Sequence, residues 1–113
     1  MLVRKDAVLL RIVVGLYEHH DKMPLSECLM LKARALNLQS GAVVPTRMAF
    51  KSSNSTQAQK SVHRGWDIAI VLELVDTRDR INAFIEASEH LLLEARLTIQ
   101  EVTSLSQQVS CAA

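Results

Sequence analysis

The stretch over residues 68–102 constrains the fold more than any other part of the chain. It opens with Ile-Ala-Ile-Val-Leu-Glu-Leu-Val, an apolar run of strand length rich in β-branched residues. Asp76 follows without a spacer and is predicted to cap the next helix, with Asp79 favouring the same helix end electrostatically. Ile81, Phe84, Ile85, Ser88 and Leu92 then recur at helical spacing and form one inner stripe. Residues 96–102 return to a strand pattern. A strand, a sharp turn, a helix and a strand with almost no spare residues call for a layered arrangement.

The first half repeats that order. Residues 7–15 are dense in Val, Leu and Ile and end at Gly15, which predicts a buried strand. A polar connection, Glu18-His19-His20-Asp21-Lys22, leads to Pro24, which suits the first turn of a helix. Leu25, Cys28, Leu29, Ala33 and Leu36 share a face of that helix, Glu27 and Arg34 lie outside it, and it ends near Asn37. Residues 41–50 form a second strand, where Pro45 removes a ladder donor and argues for a sheet edge. Residues 51–67 are polar, without apolar periodicity, and predict a long loop of the kind that is usually functional. Residues after Ser104 read as a frayed tail. The expected fold class is α/β (α+β): a ferredoxin-like βαββαβ sandwich with a four-stranded antiparallel sheet and two helices on one face. A chain of 113 residues makes this one domain over 1–113, with its core at about 7–103 and a tail at 104–113.

An apolar fraction of 49% with 4% aromatics means a core of Leu, Val, Ile and Ala. Thirteen basic against twelve acidic side chains give no general attraction to nucleic acid or anionic lipid. No stretch has the length of a membrane span, so no direct membrane insertion is expected. Arg4 and Lys5 precede an apolar run as in a signal peptide, but Arg11 interrupts it and no small-residue cleavage site follows, so a strand is expected. Cys28 and Cys111 read as thiols in a reducing compartment, which points to the cytoplasm.

Strand alternation bears on assembly. Val8, Leu10, Ile12 and Val14 share one face of the first strand with Ile68, Ile70, Leu72 and Leu74 of the third, the face that the helices cover. Leu9, Arg11 and Val13, with Ala69, Val71, Glu73 and Val75, face away. A two-layer domain has nothing of its own to cover that second face, so Arg11, Val71, Glu73 and Val75 are candidate subunit-interface residues. Arg11 and Glu73 are expected to pair across neighbouring strands or between subunits, the alternative being that each reaches solvent.

Leu10-Arg11-Ile12 with Gly15, Pro24-Leu25 with Glu27, Ala33-Arg34 and Gly41-Ala42 occur in an order that resembles a family of domains of unknown function. Glu73-Leu74-Val75-Asp76 and Ile81-Asn82-Ala83-Phe84 continue the match over about residues 7–103. That family is similar to the PII-like signalling proteins. The resemblance implies a ferredoxin-like homotrimer that binds a small effector, often an adenine nucleotide, in clefts between subunits. It also implies that a long loop between the second and third strands, here 51–67, reports effector state to a regulated protein partner. The chain departs from the pattern in two places: Thr46-Arg47-Met48-Ala49-Phe50-Lys51-Ser52 lacks an Arg-Gly pair, and the joint Leu93-Glu94-Ala95-Arg96 lacks glycine. Without glycine a backbone does not easily wrap a phosphate.

Arg47, Lys51, Lys60, His63 and Arg64 make the loop locally basic. They are candidates for receiving an effector's phosphate or carboxylate, or they simply keep the loop solvated. Trp66 either stacks on an aromatic ligand or packs at the loop base. Glu18, His19, His20 and Asp21 hold metal-ligating atoms, but adjacent histidines on a loop rarely converge on one ion, and no metal site or cofactor is expected. No enzyme is expected either: Gly15-Leu16-Tyr17-Glu18 lacks the arginine-bearing phosphate loop of acylphosphatases, and no nucleophile-base pair can be assembled. The third strand has no aromatics on which RNA bases would stack. Two functions stay open, a PII-like sensor and a ligand-free structural or adaptor trimer.

Overall fold

The computed structural model describes residues 1–46 and 69–107. In chain order the elements are β1 (Leu2–Gly15), β2 (His19–His20), β3 (Met23–Pro24), α1 (Leu25–Ala35), β4 (Ser40–Pro45), β5 (Ala69–Asp76), α2 (Arg78–Ala87), a 3-10 turn (Glu89–Leu91) and β6 (Arg96–Gln107). The main sheet runs β4-β5-β1-β6, every neighbouring pair antiparallel. With α1 and α2 on one face this is the ferredoxin-like βαββαβ arrangement.

The alternation predicted for β1 is present. Val8, Leu10, Ile12 and Val14 are buried under the helices, while Leu9 and Val13 are half-buried and Arg11 is exposed on the other face. Leu25, Leu29 and Ala33 of α1, Leu72 and Leu74 of β5, and Ile81 and Phe84 of α2 complete the core, with Leu91 beside them. Each large aliphatic or aromatic side chain sealed there contributes about 1.5–3 kcal/mol relative to exposure. Leu36, expected on the α1 stripe, lies past the helix and is exposed. Gly41 lies close against the core: a Cβ there would come within 2.8 Å of Leu74 Cδ2 and 3.3 Å of Met30 Cε.

Several boundaries differ from the sequence expectation. β1 begins at Leu2 and β6 continues to Gln107, because the two strands pair from Leu2↔Gln107 inward. The expected fraying after Ser104 is therefore wrong as far as Gln107; polar residues there are held by ladder bonds, which hydrophobic pattern does not register. The polar connection after β1 is a hairpin, β2 with β3, turned by Asp21 and Lys22 at φ 50° and 66°. Both central residues in the left-handed region match a two-residue hairpin turn, here made without glycine. Pro24 flanks α1 as its N-cap, one position before the first helical residue. Thr77, not Asp76, caps α2: its hydroxyl accepts from Arg80 N–H at 3.4 Å, and Asp76 is the last residue of β5. Ala69, expected on the face away from the helices, is buried, a small side chain where Thr46 closes on its carbonyl.

Edges and ends follow local chemistry. β4 is an edge strand, as Pro45 requires, and all six of its residues are exposed. α1 ends where Asn37 takes φ 56°; Asn37 N–H donates to Arg34 O at 3.0 Å and Leu38 N–H to Ala33 O at 3.1 Å. That paired set is a Schellman stop with asparagine in the position glycine usually holds. Ser88, at the end of α2, is fully buried, and among the described residues its hydroxyl has no hydrogen-bond partner. An orphaned buried hydroxyl costs about 1–3 kcal/mol. Ser88→Ala is expected to raise the unfolding free energy by about 1 kcal/mol in urea titration; an equal loss would mean the hydroxyl is satisfied in solution.

Candidate functional site

Two ends and one face of the sheet carry the polar chemistry. At the carboxyl end of β5, Asp76 is 3% exposed and collects three partners. Its Oδ2 accepts from Gln39 N–H at 2.9 Å and faces Arg80 Nε at 3.1 Å, while Oδ1 accepts from Thr77 N–H at 2.7 Å. Arg80 Nη2 in turn donates to the carbonyls of Leu36 and Asn37, both at 2.8 Å. One carboxylate and one guanidinium thus join the end of α1, the entry to β4 and the start of α2. Gln39 Nε2 donates onward to Ser104 Oγ at 2.7 Å, which reaches β6. The sequence expectation placed Asp76 near this helix but missed the hub, since its partner Gln39 is 37 residues away. This arrangement positions elements and presents no free reactive group.

On the face away from the helices, Arg11 and Glu73 stand opposite each other in the β1–β5 register. Arg11 Nε donates to Glu73 Oε2 at 3.0 Å, with side chains 48% and 31% exposed. Val71 and Val75 flank Glu73 on β5 and are half-buried. The four candidate interface residues therefore lie together on one surface.

The opposite end of the sheet gathers the joints. There β1 stops at Gly15 opposite Ala69, β4 stops at Pro45 opposite Ile70, and β6 begins at Arg96 opposite Val13. Thr46 Oγ1 donates to Ala69 O at 2.6 Å, drawing the two ends of the segment 47–68 together. Arg47, Lys51, Lys60, His63, Arg64 and Trp66 lie outside the described residues, as do positions 48–50 of the expected second strand and Cys111. The glycine-free joint between α2 and β6 is a tight turn, with Leu92 N–H donating to Glu89 O at 3.1 Å and Ala95 N–H to Leu92 O at 3.2 Å. His20 of the β2–β3 hairpin and His90 of the 3-10 turn meet here.

Among the described residues, open clefts flank the helices. One of about 400 Å³ runs between α1 and β4, lined by Glu27, Met30, Leu31, Arg34 and Gln39 among others. Another, of about 430 Å³, lies at the start of α2 and holds Asp6, Arg78, Glu101 and Thr103. Arg78 Nη2 donates to Glu101 Oε1 across it at 3.2 Å. Among the described residues no group of three or more His, Cys, Asp or Glu side chains gathers as a metal cage, and no helix is long and apolar enough to cross a membrane.

This sheet order, with two helices on one face, is shared by solved structures of the PII-like form of the ferredoxin-like fold. CPII from Thiomonas intermedia K12, a nitrogen regulatory PII-like protein solved bound to ADP, AMP and bicarbonate, superposes with a TM-score of 0.66 at 7% identity over 95% of this chain and 100% of that one. A putative PII-like signalling protein from Thermus thermophilus gives 0.58 at 12% identity, covering 89% and 90%. CutA from Synechococcus elongatus PCC7942 gives 0.60 at 11%, covering 92% and 85%. At these identities the likeness concerns the fold. Comparison with curated proteins gives no match. The chain belongs to the DUF190 family, described as "Uncharacterized ACR, COG1993", whose model matches residues 7–104.

The hub makes a direct prediction. Asp76→Ala removes two hydrogen bonds to a buried carboxylate and the Arg80 contact, and is expected to cost about 2–3 kcal/mol in urea unfolding. Arg80→Lys, whose single nitrogen cannot span Asp76 and both carbonyls, is expected to lose a smaller part of the same stability.

Proposed function

We propose that this chain is a non-catalytic, PII-like regulatory protein that works as a homotrimer in the cytoplasm. In this reading an adenine nucleotide binds between subunits, and the loop 51–67 within the segment 47–68 carries its occupancy to a protein partner. The observation that carries the reading is the joining of Thr46 to Ala69, which sets both ends of that basic segment at one end of a PII-like sheet. The neighbour solved with ADP, AMP and bicarbonate supports the choice of ligand class. Arg47, Lys51, Lys60, His63 and Arg64 supply the charges for phosphate, and occupancy matters only if the nucleotide prefers one conformation of the assembly. The surface of Arg11, Val71, Glu73 and Val75 closes the trimer. The glycine-free tight turn at Leu92 to Ala95 favours the second reading, an adaptor trimer without a ligand.

Thermal unfolding with AMP, ADP and bicarbonate separates the two. A nucleotide at 100 times its Kd stabilises the folded state by about 2.7 kcal/mol and raises the midpoint. The shift is expected for wild type and is lost in Arg47→Ala with Lys51→Ala; no shift for any nucleotide at millimolar concentration leaves the adaptor. Assembly is read by light scattering. Val71→Asp with Val75→Asp is expected to release monomers, because a buried unpaired carboxylate is not tolerated at an apolar interface. A trimer surviving both charges would remove this face from the contact.

A further inference from the structure

We infer that His20 and His90 form an open two-imidazole site for a transition-metal dication such as Cu(II) or Ni(II). The residues are distant in sequence, one on the β2–β3 hairpin and one on the 3-10 turn after α2. Their ring centroids lie 5.8 Å apart with planes inclined at 69°. A metal about 2.1 Å from a ring nitrogen lies about 3.2 Å from the ring centroid, so two rings sharing an ion stand about 5–6 Å apart. The observed separation falls in that range without movement of either backbone.

A second observation concerns charge. Asp21 Oδ2 lies 3.4 Å from His20 Nε2. That carboxylate sets negative charge beside the ring, which favours a dication there. The support is also fixed. The hairpin register is set by His19↔Pro24 and His20↔Met23, and Leu25 N–H closes it by donating to Glu18 O at 2.8 Å. His20 is 44% exposed, so an ion arrives without stripping a buried group of water.

The site is open. Since no third protein ligand gathers there among the described residues, water fills the remaining positions. Binding should then follow the intrinsic order for imidazole, Cu(II) above Ni(II) and Zn(II), with Mg(II) and Ca(II), which prefer oxygen, excluded. A bound ion would tie the hairpin after β1 to the turn after α2, at the sheet end where β4 leaves and β5 returns. The inference does not depend on the nucleotide reading.

His19 supplies an internal control. It neighbours His20 on a strand, so its ring points to the other side of the hairpin, where its Nδ1 is 2.7 Å from Tyr17 O. The full chain is titrated with Cu(II) and Ni(II) by calorimetry, and its Cu(II) complex is examined by electron paramagnetic resonance. The expected result is one ion per chain, two coupled nitrogens, an affinity drop of at least tenfold in both His20→Ala and His90→Ala, and little change in His19→Ala. Circular dichroism keeps the comparison to folded variants, and His90→Gln serves if His90→Ala unfolds. Failure to bind either ion at millimolar concentration, a single coupled nitrogen, or equal losses in all three variants would overturn the site and leave an edge-to-face ring contact.

Discussion

A carboxylate sealed at the end of β5 holds one pole of this molecule together. Asp76 has little access to water, and such a charge survives only where donors replace its hydration. Gln39 N–H, Thr77 N–H and the Arg80 guanidinium do so, and Arg80 also satisfies two carbonyls left open by the end of α1. Both helices are thereby referred to the same strand end. The other pole is closed differently, by Thr46 on the Ala69 carbonyl and by the glycine-free turns at Asp21–Lys22 and Leu92–Ala95.

The sheet itself has two duties. Its inner face builds the core from alternating aliphatics, and its outer face exposes Val71, Glu73 and Val75 beside Arg11. Exposed or half-exposed ion pairs are worth at most about 1 kcal/mol, so Arg11 and Glu73 contribute little while solvated. In an assembly the same pair would be desolvated and would set register between subunits, since a misplaced charge then has no partner. The outer face is thus where a regulatory trimer would differ energetically from a single chain.

Much of the architecture was legible because it rests on periodicity. Val8 to Val14 alternate, Ile81, Phe84 and Ser88 recur at helical spacing, and Pro45 marks an edge; each pattern follows from local geometry and survived in the fold. The misses share a physical cause. The β1–β6 extension to Leu2 and Gln107 is polar or mixed and is held by backbone bonds, which leave no hydrophobic signature. Asp76 looked like a cap because a capping aspartate and a buried aspartate ending a strand read alike until Gln39 and Arg80 are brought beside it. The candidate site was legible only in part. Arg11 opposite Glu73 followed from strand order, whereas His20 beside His90 did not, since the hairpin that turns His20 toward α2 has no glycine to announce it.

By itself the sequence determined the order of elements, the composition of the core and the identity of the uncovered face, because each follows from side-chain period and needs no distant contact. Only the tertiary structure decided which polar groups serve as joints. Asp76 with Arg80, Thr46 with Ala69 and His20 with His90 join residues between 4 and 70 positions apart, and their meaning lies in distance and burial rather than in residue type. Such contacts depend on how strands twist and helices settle, a long-range outcome that no local window of the chain contains.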